Sequence, residues 1–269
     1  MNTSAPDNAM RAVARRKLSI PAPVRQAAAV REALRHTIYK PIPERPGLPG
    51  KAADVEQVIR DHAQALHLHD LTHRAATQFS DEADLRYAAA VANAVPDWIT
   101  GLQKEFTTLV GVITEAAAQL PAEVRADRVN WNDAAVSAPY QRAEGAAVQL
   151  DQLVSDRNDI ARAGGHDGGT DNALYAIAHL PEPTAEAVMA GRWKELSPTL
   201  NQWRDLKRQP VARWVHLVRS PDVALSLATP GQVRERAATV QSWRDAEVTR
   251  LHGGSITSAL HRVERSLAA

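Results

Sequence analysis

The sequence predicts an all-α protein, and three observations carry that expectation. Apolar residues recur at alternating steps of three and four from Leu85 to Leu120. Aromatic residues make up only 4% of the chain, so alanine and leucine supply most of its apolar surface. Runs of β-branched and aromatic residues, which mark strands, are rare. The expected architecture is a long antiparallel helical hairpin, coiled-coil-like, with an extended basic N-terminal arm and a smaller C-terminal helical domain. The corresponding segments are 1–50, 51–164 and 173–269.

Composition narrows the function classes. A chain of 269 residues is long enough to bury a core. Its formal net charge of +1 gives no general attraction for polyanions. The absence of cysteine excludes disulfides and thiolate metal sites. No apolar run approaches the ~18 residues that a membrane-spanning helix needs. The N-terminus lacks the apolar core of a secretory signal peptide, so the expected location is the cytoplasm or the interior of a virus particle.

Residues 1–50 hold nine Lys or Arg against three acids, a local charge of +6 that leaves −5 for the rest. The candidate interaction residues are Arg11, Arg15, Arg16, Lys17, Arg25, Arg31 and Arg35. Pro21, Pro23, Pro41, Pro43, Pro46 and Pro49 forbid one continuous helix, so a helix over 24–38 followed by an extended strap over 40–50 is expected. Such an arm suits either strapping onto a protein partner or contacting nucleic-acid phosphates through residues 11–45.

A helix over 51–79 carries His62, His69 and His73 on one stripe. Three imidazoles so placed suggest a zinc site and a metal-dependent hydrolase, but the His-Glu-x-x-His pattern is absent. Semi-buried packing histidines are the expected outcome, with no metal and no cofactor. Ser80, followed by Asp81 and Glu82, reads as the N-cap of the next helix.

The hairpin's first seam comprises Leu85, Ala88, Ala92, Val95, Ile99, Leu102, Phe106, Leu109, Ile113, Ala116 and Leu120. It keeps phase across Pro96, which predicts a kink rather than a stop. The second seam comprises Val136, Tyr140, Ala143, Ala147, Leu150, Val154, Arg157 and Ala161, with Arg157 expected to snorkel into solvent. Residues 121–132 connect the two, with Trp131 expected over the hairpin's end.

Gly164 to Asn172 is glycine-rich and reads as a helix stop and hinge; Asp167 and Asp171 do not complete a calcium loop. Beyond it, helix starts are expected at Thr184, Ser197-Pro198, Ser220-Pro221-Asp222 and Thr229-Pro230-Gly-Gln232, the last a capping box. That helix should end near Leu251, with a terminal helix from Ser255 to Leu267. Trp193, Trp203, Trp214 and Trp243 are the expected core of this region. No nucleophile, base and orienting group fall into a recognisable frame. The expected function is therefore a non-enzymatic structural or assembly protein of a large complex such as a phage particle, built on contacts with protein partners or its own copies.

Overall fold

The computed structural model describes residues 4–124, 129–165, 172–252 and 256–268. It is all-α apart from one pair of two-residue strands. In chain order the helices are α1 (Ser4–Arg15), α2 (Ala22–Ile38), α3 (Val55–Gln119), α4 (Ala134–Ala163), α5 (Asn172–Tyr175), α6 (Ala185–Met189), α7 (Trp193–Asp205), α8 (Pro210–Arg219), α9 (Pro230–Leu251) and α10 (Ile256–Ala268). Strands β1 (Ala178–His179) and β2 (Ala224–Leu225) pair antiparallel, Ala178 opposite Leu225.

Helix α1, absent from the expected arm, buries Pro6, Ala9, Ala12 and Val13, one face at three- and four-residue spacing. Lys17 ends it in a left-handed conformation (φ 52°), which lets the N–H groups of Lys17 and Leu18 bond back to the Ala14 and Val13 carbonyls. Pro21 and Pro23 then start α2, where a missing N–H costs nothing. Helix α1 packs on α4 and α3, and α2 packs on α3. The 1–50 segment is thus partly helical and lies on the body, because α1 and α2 each have an apolar face to bury. Among the described residues of this segment, the short link 16–21 between the two helices and the stretch after Tyr39 up to Gly50 lack regular structure.

Helix α3 runs 65 residues without interruption, about 98 Å at 1.5 Å per residue. The expected start at Ser80 is therefore corrected. Ser80 lies mid-helix, because no Gly or Pro breaks the chain there and Thr77 returns its hydroxyl to the His73 carbonyl. The helix also continues through Pro96. Seam residues Ile99, Leu102, Phe106, Ile113 and, in α4, Leu150 are at most 1% exposed. Leu85, the first station, is 47% exposed. A straight helix drifts from a strict seven-residue repeat, and burial there passes to Ala83, Tyr87 and Val91.

Asp133 caps the start of helix α4, its carboxylate accepting the Ala135 N–H. Arg142 near its start donates to Gln119 at the end of α3, whereas Gly164 beyond its end lies against Val95. A Cβ at Gly164 would sit 3.1–3.2 Å from three Val95 atoms, so glycine there permits close approach; the left-handed conformation falls to Gly165 (φ 111°). Trp131 is half exposed and meets Tyr140 edge-on at 5.5 Å. The hinge expected over 164–172, with Asp167 and Asp171, lies mostly outside the described residues.

The C-terminal helices share a core with α3 and α4. Trp214 packs edge-on against Phe106 at 6.2 Å and against Trp203 at 5.4 Å, and its indole N–H donates to Asp151. Buried contacts form one cluster from Ala9 to Val263. Arg157 corrects another expectation: it is fully buried, with Nε and Nη2 donating to the Ala228 carbonyl at 2.9 and 2.5 Å. Burial and the charge of Arg157 push Arg236 down to about 10. Arg236 offsets part of that by donating to the Tyr175 and Ser226 carbonyls.

Thr229 and Gln232 form the full capping box of α9. Two other expected starts move. Ser197 and Pro198 lie inside α7, and Ser220 to Asp222 form a turn leading into β2. Helix α8 occupies a stretch for which no start was expected, opened by Pro210 at its first position.

Candidate interaction surfaces

The seven candidate cations divide by what they touch. Arg15 donates from Nε and Nη2 to Asp156 Oδ1 at 3.1 and 2.6 Å, and Arg16 donates to Asp156 Oδ2 at 2.5 Å. Arg16 also reaches Glu105 at 2.8 Å. Arg31 is buried on α2, donating to Asp84 at 2.6 Å and Asp7 at 2.8 Å, with its guanidinium 4.6 Å from the centre of the Tyr87 ring. Arg11 and Arg25 bond locally, to Asn8 and to the Ile20 carbonyl. Lys17 and Arg35 are exposed. Three of the seven therefore hold the N-terminal segment to α3 and α4. Sequence reasoning saw the charge but not the acidic partners, which lie 53 to 141 residues away in the case of Asp84 and Asp156.

Burial alone would raise the Asp156 carboxyl, but the hydrogen bonds from Arg15 and Arg16 outweigh it and hold the group below its ordinary value. Trp98 adds a neutral tie, its indole N–H donating to the Ser19 carbonyl at 2.8 Å. Leu18 fits beside Gly101, where a Cβ would come within 3.2 Å of it. Gly101 thus makes room for the N-terminal segment.

Two histidines of the stripe bond the backbone, each through one ring nitrogen. His69 Nε2 donates to the Lys40 carbonyl at 3.1 Å, and His73 Nδ1 donates to the Ile38 carbonyl at 3.0 Å. A carbonyl only accepts, so those ring nitrogens carry the proton and the other nitrogen of each ring keeps the lone pair; His69 Nδ1 is buried with no hydrogen-bond partner. The two rings stack 6.4 Å apart, while His62 faces a shallow groove formed with residues 45–49. Among the described residues, no group of three His, Cys, Asp or Glu side chains is placed to hold a metal ion.

The first third of α3 presents a different surface. Its first buried residue is Ala76, although the helix begins at Val55. With α2 and residues 38–40 on one side, Leu68, Leu71, Ala75 and Phe79 lie on the other, within about 80° of a helical wheel. Leu68, Leu71 and Phe79 are 65%, 50% and 56% exposed. Their steps of three, four and four match a seam for a partner helix. Among the described residues, no helix is long and apolar enough to cross a membrane. No protein-family model, curated protein or solved structure matches the chain.

Proposed function

We propose that the chain is a non-enzymatic structural or assembly protein of a larger complex, such as a phage particle, acting through helical packing surfaces. In this reading α3 and α4 form an antiparallel hairpin whose far end, the first third of α3, is the contact surface. The exposed stripe Leu68, Leu71, Ala75 and Phe79 carries the reading. Large apolar side chains repeated at helical spacing on one bare face favour burial against another helix. A second copy of the same chain can supply that helix.

The test is light scattering after size exclusion on the wild type and on a Leu68→Glu, Phe79→Glu double variant. The wild type is expected to self-associate as concentration rises, and the variant to remain monomeric with an unchanged helical circular dichroism spectrum. A wild type that is monomeric throughout, or a variant that assembles equally, defeats the reading.

A second reading, nucleic-acid binding through residues 11–45, is supported by Arg11, Lys17, Arg25 and Arg35, which face solvent. Arg16 and Arg31 are withdrawn into ion pairs. Binding by the remaining cations would weaken steeply with added salt, which a mobility shift at two salt concentrations reads directly.

A further inference from the structure

Away from both surfaces, α5, α7, α8 and α9 enclose a cavity of about 460 Å³, within the size range of small-molecule sites. Arg204, Lys207, Arg213 and Arg244 line it, and none of its described lining residues is acidic. Lys207 and Arg244 have no hydrogen-bond or ion-pair partner in the described structure. Arg213 is fixed in place, its guanidinium 3.4 Å from the centre of the Trp203 ring, yet its Nε is buried without a hydrogen-bond partner. Other enclosed guanidinium groups, Arg157, Arg236 and Arg31, find acceptors, the first two on main-chain carbonyls and the third on two carboxylates, while Arg262 on α10, away from this cavity, also keeps buried nitrogens without one. Burial pushes Arg213 down, with Asp151 opposing the shift. A buried donor with nothing to bond is costly unless a ligand completes it.

Apolar residues also line the cavity. Trp193, half-buried, and Leu200 are among them, offering a surface for a flat ring. We propose that this cavity binds a small phosphorylated organic molecule with a planar ring, of mononucleotide size, its phosphoryl group held by Lys207, Arg213 and Arg244 and its ring against Trp193. Three cations drawn from separate elements suit a phosphomonoester, which carries about −1.5 to −2 at neutral pH, better than a carboxylate with −1. The phosphoryl group can belong to a free metabolite or to the end of a polynucleotide.

Because Trp193 and Trp203 line the cavity, tryptophan fluorescence of the full chain reads binding. The probes are adenosine monophosphate, adenosine, and a short oligonucleotide with or without a 5′-phosphate. Saturable binding of the monophosphate but not of the nucleoside is expected. A Lys207→Gln, Arg244→Gln double variant should bind at least about tenfold more weakly, since each lost charge-assisted bond is worth roughly that factor. Both side chains are exposed, so the variant keeps its fold, which circular dichroism checks. Binding by the 5′-phosphorylated oligonucleotide alone supports the site and assigns its source to a polynucleotide end. The proposal is overturned if neither phosphorylated probe saturates, if removing the phosphate changes nothing, or if the double variant binds as tightly as the wild type.

Discussion

Asp156 shows how one residue can tie distant parts of the chain. Its side chain is 1% exposed, and its two oxygens take hydrogen bonds from Arg15 and Arg16 of the N-terminal segment. Replacing it by alanine strands Arg16, itself only 13% exposed, without its shorter partner. Breaking such a pair typically costs ~3–5 kcal/mol. Arg15 is half exposed and recovers water, so the expected loss is about 2–4 kcal/mol in urea unfolding at pH 7. The pH dependence has a definite sign. The folded carboxyl titrates below the ordinary aspartate value of about 3.9, so its contribution is complete above that value. The contribution disappears as the pH falls through the lowered folded value. The gap between wild type and Asp156→Ala should therefore be constant near neutrality and shrink below about pH 4.

Among the helices, the end of α3 has the clearest single determinant. Arg219, at the end of α8, donates to the carbonyls of Ala117, Leu120, Pro121 and Ala122 at 2.6–3.0 Å. It places a cation at the negative end of the longest helix while satisfying carbonyls that have no partner within it. Arg219→Ala is expected to lower stability by about 1–2 kcal/mol. Arg219→Lys should restore only part of that, because an ammonium cannot fork across four acceptors; thermal melts of the two variants decide it. The contrast with α9 explains what was legible in the sequence. Thr229 and Gln232 are three residues apart, so their capping box could be read directly. Arg219 acts on carbonyls about a hundred residues earlier, and nothing local in α8 announces it. The same limit applies to Arg157, whose acceptor at Ala228 is 71 residues away. Periodicity located Ile99, Phe106 and Leu150 in the core, but it could not say that the Leu68, Leu71 and Phe79 face of early α3 would stay bare. That depends on where α2 docks. The convergence of Lys207, Arg213 and Arg244 on the cavity was also invisible to it, because they come from the stretch after α7, from α8 and from α9.

At the scale of the molecule, the N-terminal segment belongs to the core as much as to the surface. Ala9, Ala12 and Val13 are wholly buried, and Trp98 and Asp156 take partners from residues 15–19. Deleting residues 1–50 should therefore lower the melting temperature by roughly 10 °C or more, since several kcal/mol of packing is lost at ~2–4 °C each. A truncated chain that melts with the wild type would show that the segment is an accessory. The tie between Arg15 and Asp156 also spans 141 positions. On a ribosome adding ~5–20 residues per second, α1 is made roughly 7–30 s before its acceptor exists. A twelve-residue helix does not persist alone for that interval. Helix α1 is thus made well before it can settle, and until α4 emerges its arginines and alanines lack the partners that hold them in the fold.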